Sequence, residues 1–218
     1  MRTTLIAALV FAASSASAQI SVSGISDLWL AGAPAGTPAS SGDVAPTHSP
    51  VLVSGIVAGT AYSFNVTGIV DNGGGYPAPG PDGASTFFVH GTGAENGISN
   101  INAPINSLIG VFVDSNVPTA PGSALDFSAS GLGLNFTNLA PALNQAFFIG
   151  DGVTDVAQVQ TFLAPTTATR LFLGTMDGLQ WNNNSGSFTV TVIPEPSTYA
   201  ALLGAAILGF AILRRRRS

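Results

Sequence analysis

Between positions 19 and 193 the apolar residues come in short runs that alternate with polar ones, without a sustained 3.6-residue stripe. In Tyr62-Ser63-Phe64-Asn65-Val66-Thr67 every second residue is apolar, and Ser187-Phe188-Thr189-Val190-Thr191-Val192 repeats the pattern. A strand buried on one face reads this way because successive side chains point to opposite sides of the sheet. The pattern predicts strands over 27–30, 51–57, 61–70, 86–90, 107–113, 132–136, 146–149, 159–163, 169–173 and 186–193. Short strands of this number, joined by Gly, Pro, Asn and Asp clusters, describe an all-β body, a sandwich or jelly roll. Residues 31–49, rich in Ala, Pro, Ser and Gly, read as a mobile loop. Residues 71–83 (DNGGGYPAPGPDG) are too polar for a core and read as a loop, either ordered for function or floppy.

Composition narrows the chemistry. Charged residues are 8% of the 218, Cys is absent, and the chain has no Lys. Arg2 and Arg214 to Arg217 stand at the ends, which leaves Arg170 alone among ten of the eleven acids. Such a body cannot neutralise phosphates by counterion release, which excludes nucleic acid as a partner. Catalysis by a Lys or Cys nucleophile is excluded as well. Without disulfides, the fold must rest on its core and on any ion it binds.

Both ends read as targeting segments. Arg2, the apolar run 5–13 and Ala16-Ser17-Ala18 form a signal peptide, cut by signal peptidase after Ala18. Residues 197–213 carry no charge. At about 1.5 Å per residue they reach about 25 Å, enough for a transmembrane helix through a thin bilayer. Arg214, Arg215, Arg216 and Arg217 follow, and a basic cluster stays on the cytoplasmic side, so the body is expected outside. Pro194-Glu195-Pro196 precedes the span as a stiff extended spacer. Together, 192–217 resemble the PEP-CTERM sorting signal. The resemblance implies recognition of the tripeptide by a membrane-embedded exosortase, removal of the tail, and transfer from a transient inner-membrane anchor to the cell surface or extracellular matrix. It also implies a Gram-negative bacterium that makes exopolysaccharide. The alternative is a permanent single-pass anchor. The chain thus divides into a signal peptide (1–18), an N-terminal strand and flexible loop (19–49), a β-sandwich domain (50–193) and a sorting segment (194–218).

One constellation carries chemistry. Between two predicted strands, Asp177, Asn182, Asn183 and Asn184 crowd a tight loop. A hard Ca²⁺ ion takes six to eight oxygens from carboxylates, amides and backbone carbonyls. Asp-Gly and Asn-rich loops are also ordinary hairpin turns, because these residues tolerate left-handed backbone. The run 171–192, ending NNSGSFTVTV, resembles the last hairpin of the calcium-dependent galactophilic lectins of the PA-I type, which are jelly rolls. Pro104 to Gly110, Phe147 to Gly150 and the 76–83 loop fall where that family has a small-residue strand, an I-G turn and its first calcium loop. The resemblance implies Ca²⁺ bound through the side chains of Asp177, Asn183 and Asn184 and the main-chain carbonyls of Tyr76 and Gln180, with the ion coordinating sugar hydroxyls. The loop from Asp177 to Asn183 is one residue shorter than in the family. The family's sugar-contacting His-Gln pair is matched by His90, with Gly93 where Gln would stand.

Trp181 is the residue expected to stack on a sugar ring, or else to close the core as a strand-end residue. His48 and His90, the only histidines, show no pairing in sequence. Asp151 and Asp155 flank a turn and read as a second cation pair or as solvated acids. The resulting expectation is a non-enzymatic, exported matrix protein whose lectin-like sandwich binds exopolysaccharide or other glycans weakly through Ca²⁺. The alternatives are a purely structural matrix protein that has lost its site and, more remotely, a polysaccharide hydrolase using paired acids.

Overall fold

The computed structural model describes residues 19–39, 50–195 and Arg215. Among the described residues twelve strands form three sheets: β1 (Gln19–Ser23), β2 (Val51–Val53), β3 (Ala61–Asp71), β4 (Phe87–Val89), β5 (Ile101–Pro104), β6 (Leu108–Val113), β7 (Leu125–Asp126), β8 (Asn138–Leu139), β9 (Ala146–Phe148), β10 (Thr161–Leu163), β11 (Arg170–Thr175) and β12 (Ser185–Pro194). The first sheet runs β1-β12-β3-β10-β8, the second β2-β11-β6-β9, and the third β4-β5-β7. All pairs are antiparallel except β10–β8 and β5–β7.

The alternation seen in the sequence builds the first sheet. Tyr62, Phe64, Val66 and Val70 of β3 and Phe188 and Val190 of β12 are buried, while Asn65, Thr67, Thr189 and Ser187 between them face water. The two strands pair from Ser185↔Asp71 to Pro194↔Tyr62 without a break. Gly68 sits mid-strand at φ +111°, where a Cβ would lie 2.3 Å from the Ser187 carbonyl oxygen, so this close crossing requires glycine. Phenylalanines tie this sheet to the second: Phe64 meets Phe162 edge-on at 5.1 Å, Phe162 lies 5.4 Å from Phe147, and Phe147 stacks on Phe112 at 5.2 Å. All six residues of β6 are buried; the 3₁₀ turn at Leu28–Leu30 packs against β6 and β11, and β5 of the third sheet packs against β9. Burying one such aromatic or aliphatic side chain contributes about 1.5–3 kcal/mol, and in a chain with no Cys these residues hold the fold.

The all-β sandwich expectation therefore holds, with local differences. Residues 27–30 form a 3₁₀ turn instead of a strand, because the Asp27 carboxylate accepts from the Trp29 N–H at 2.9 Å and closes a local turn. Residues 132–136 form no strand. The side-chain amide of the buried Gln160 donates to the carbonyls of Leu134 (2.8 Å) and Phe136 (2.9 Å), taking acceptors that a ladder would have used. The predicted strand 51–57 stops at Val53, ahead of Gly55 at φ +80°. Strands β5 and β7 were not anticipated, since Asn102, Pro104 and Asp126 interrupt the apolar pattern there.

The 71–83 loop is tied down. Asp71 and Asn72 accept from the N–H groups of Gly73 (2.8 Å) and Gly74 (3.2 Å), and Pro81 O accepts from Leu108 N at 2.9 Å. The signal peptide 1–18 with Ala18, part of the 31–49 loop with His48, the apolar span 197–213, and Pro196, Arg214, Arg216 and Arg217 lie outside the described residues. Among the described residues no helix is long and apolar enough to cross a membrane.

Candidate functional site

One end of the sandwich gathers polar groups from five segments. Asn106, in the turn between β5 and β6, adopts φ +68°, a backbone region that Asn tolerates better than most side chains. Its N–H donates to Met176 O at 2.9 Å and its side-chain amide to Tyr76 O at 2.7 Å, which draws the 72–76 loop against the end of β11. Asn184 closes the 3₁₀ turn Trp181–Asn183 and donates through Nδ2 to Gly24 O at 3.0 Å. The same oxygen receives the Thr175 hydroxyl at 2.7 Å. Asp177 is 4% exposed, its Oδ1 accepting from Gly178 N at 2.6 Å. Asp27, fully buried, is bridged to Thr175, two residues before Asp177.

Within this network Asn106 Oδ1 and Asn184 Oδ1 are buried and accept no hydrogen bond. A buried polar oxygen left without a donor costs about 1–3 kcal/mol, so such positions call for a partner, an ordered water or an ion. Among the described residues no group of three or more His, Cys, Asp or Glu could hold a metal. A cation here would depend on amide and main-chain oxygens around few carboxylates, the donor chemistry of Ca²⁺.

Of the residues expected to ligate calcium, the structure brings Asp177, Asn184 and the Tyr76 carbonyl into this network. The Gln180 carbonyl accepts from Asn183 N at 3.1 Å inside the 3₁₀ turn, with Gln180 itself at φ +69°. Asn183 is exposed; its carbonyl oxygen faces the 72–76 loop, 3.6 Å from where a Gly73 Cβ would stand. Asn106, Asn72 and Asp27 were missed as site residues. The one available signal was an Asn in a position needing positive φ, directly before a strand.

The sugar-contact assignments need correction. Trp181 is fully buried and its indole N–H donates to Thr175 O at 3.1 Å, so its face is not open to a ring. His90 is 1% exposed and stacks on Trp29 at 4.0 Å with 14° between planes, while Trp181 lies 5.6 Å from each. A carbonyl only accepts, so the 2.8 Å contact of His90 Nδ1 with Gly93 O places a proton on Nδ1. Nε2 lies 3.6 Å from a Glu95 carboxylate oxygen. Three large rings whose N–H groups find carbonyl partners bury more favourably together than apart, which puts these residues in the core.

The Asp151–Asp155 turn sits elsewhere. Asp82, Asp151, Asp155 and Asn135 line an open hollow of about 410 Å³. Asp82 accepts from Asp151 N at 2.9 Å, Asp151 from Val153 N at 2.9 Å, and Asn135 from Asp155 N at 2.9 Å, so these oxygens serve to fix turns. Lost hydration pushes the Asp82 carboxyl above its ordinary range; the Asp151 N–H opposes this and the Asp151 charge adds to it.

At the end of β12 the chain stays bonded to the body beyond the last apolar residue. Pro194 pairs with Tyr62, Glu195 N donates to Ala61 O at 2.8 Å, and the Ser63 hydroxyl donates to Glu195 Oε1 at 2.5 Å. Arg215 is exposed. No curated protein and no solved structure matches the chain. Residues 192–217 match the PEP-CTERM protein-sorting motif, so an all-β body here carries the signal of an exosortase substrate, exported through the cell envelope and sorted to the surface.

Proposed function

We propose that this protein is a non-enzymatic component of the cell surface or extracellular matrix. It is held transiently in the inner membrane by its tail, and its lectin-like sandwich binds Ca²⁺ and, through the ion, matrix glycans. The observation that carries the reading is two buried, donorless amide oxygens, Asn106 Oδ1 and Asn184 Oδ1, the first on a residue whose N–H bonds the carbonyl of Met176, the neighbour of the buried Asp177. Asp177, Asn184, Asn106 and the Tyr76 carbonyl would hold the ion, which when bound would offer open coordination positions to vicinal sugar hydroxyls. The chain's own part is to fix these oxygens: the Gly24 carbonyl, itself bonded by the Thr175 hydroxyl, accepts from the Asn184 amide, and the Met176 carbonyl accepts from Asn106 N–H.

A second reading, a matrix protein of lectin ancestry without a glycan site, draws on the closed Trp29–His90–Trp181 cluster, whose rings are buried away from any sugar. Calorimetry of the detergent-solubilised full chain with Ca²⁺, then with a glycan panel in Ca²⁺ or EDTA, separates the two. Calcium binding that is lost in Asp177→Asn, with glycan heat only in Ca²⁺, is the expected result. Calcium binding without glycan heat selects the second reading, and absence of calcium binding in the parent protein removes the ion altogether.

A further inference from the structure

We infer that the end of the five-stranded sheet from which the chain departs is a lipid-facing surface that stands the body upright on the membrane before sorting. This rests on the reading that the tail is membrane-anchored. Two observations converge on it.

The exit is rigid. β12 stays in register with β3 to Pro194↔Tyr62, and Glu195 is clasped by Ala61 O and the Ser63 hydroxyl. Only Pro196 separates this clasp from the uncharged run that begins at Ser197. One residue spans at most about 3.6 Å, so this end of the sheet cannot stand away from whatever takes up that run.

The surface at the exit is apolar. Val57 is 60% exposed, Leu163 45% and Ile193 40%. Leu163 pairs with Ala61 and Ile193 with Ser63, so both flank the clasp, and Val57 donates its N–H to the Tyr62 hydroxyl at 2.7 Å. Beside them a hollow of about 350 Å³ is lined by Ala61, Leu139, Ala140 and Leu163 with Asn138 and Thr161. The Glu195 carboxylate accepts from the Ser63 hydroxyl.

The Asp177 network lies towards the other end. Asp71 ends β3 ten residues from Ala61, about 33 Å away at about 3.3 Å per residue, and the Asp177 network adjoins that end. An exposed apolar patch beside an apolar tail suits the interfacial layer of a bilayer, and it leaves the Asp177 network pointing into the extracytoplasmic space.

The absence of Cys makes the test direct. Single cysteines replacing the exposed Val57, Leu163 and Ile69 carry an environment-sensitive dye, with the full chain reconstituted in phosphatidylcholine vesicles containing nitroxide lipid. Ile69, 55% exposed, lies on β3 about 26 Å further from the exit than Ala61 and serves as the distal reference. The expected result is loss of most of the fluorescence at V57C and L163C and no quenching at I69C. Protein that floats with the vesicles but shows equal signals at all three positions overturns the lipid-facing surface and leaves the anchor standing. Protein that does not float overturns both. Disulfide cross-linking between copies at V57C or L163C without lipid quenching also overturns the proposal, assigning the patch to a second copy of this chain.

Discussion

Asn184→Ala offers the sharpest test of the calcium site, because its effect should change sign with the ion. In chelator the substitution removes the Nδ2 bond to Gly24 O, about 1 kcal/mol. Gly24 O keeps the Thr175 hydroxyl at 2.7 Å, so no acceptor is stranded. The same substitution deletes Oδ1, a buried oxygen without a donor, whose burden is about 1–3 kcal/mol. Asn184 has φ −71° and ψ 151°, which alanine adopts without strain. The calcium-free variant should therefore melt at or slightly above the parent. In Ca²⁺ at about 100-fold over Kd the parent gains about 2.7 kcal/mol by mass action. For a domain of this size that is a rise of about 5–11 °C, which the variant largely forfeits. Differential scanning calorimetry in EDTA and in Ca²⁺ should show the order of the two melting temperatures inverting. A variant that melts below the parent by the same margin in both buffers would refute the reasoning, since Asn184 would then act through packing alone.

Two further outcomes follow from the geometry. The raised Asp82 carboxyl makes the folded state bind its proton more tightly than the unfolded chain, so its charge opposes folding at pH 7. That opposition fades as pH falls through the raised value towards 3.8, so Asp82→Asn should raise the melting temperature at neutral pH and do nothing below about 3.8. Asp114, held down first by the Asn116 side chain, and Asp126, held down first by Ser128 N–H, work the other way, their contribution present at neutral pH and lost below 3.8. A melting curve for Asp82→Asn that parallels the parent across this range would count against the Asp82 assignment. Trp181→Ala, which removes the ring packed beside the Trp29–His90 stack, should cost about 3–5 kcal/mol in urea unfolding. A loss near zero would return Trp181 to the surface as a sugar platform.

What the sequence makes legible is local in origin. The strands at 61–71 and 185–194 announce themselves because each has one wet and one buried face, and alternation follows from strand geometry alone. The 132–136 segment carries a similar apolar density yet forms no strand, because Gln160, more than twenty residues later, occupies its carbonyls. The site is harder still. Asp177 and Asn184 could be named from composition, but their neighbours Asn106, Asn72 and Asp27 come from separate turns that only the folded sheets bring together. Trp181 misleads for the same reason: flanked by Asn residues it reads as solvent-facing, while Trp29 and His90 arrive from distant loops to cover it.

The sorting tripeptide extends the point. By composition Pro194 and Glu195 belong to the tail, yet strand pairing continues through Pro194 and Glu195 is bonded to Ala61 and Ser63 of β3. A processing enzyme that takes this tripeptide in extended form must first peel it from the sheet. Pairing with β1 ends at Thr191, so the last residues of β12 are held by β3 alone and that step is confined to one edge. The body and the first two residues of the tripeptide are thus joined at this seam, and loosening the Ser63 or Ala61 bonds would release Glu195 from the sheet.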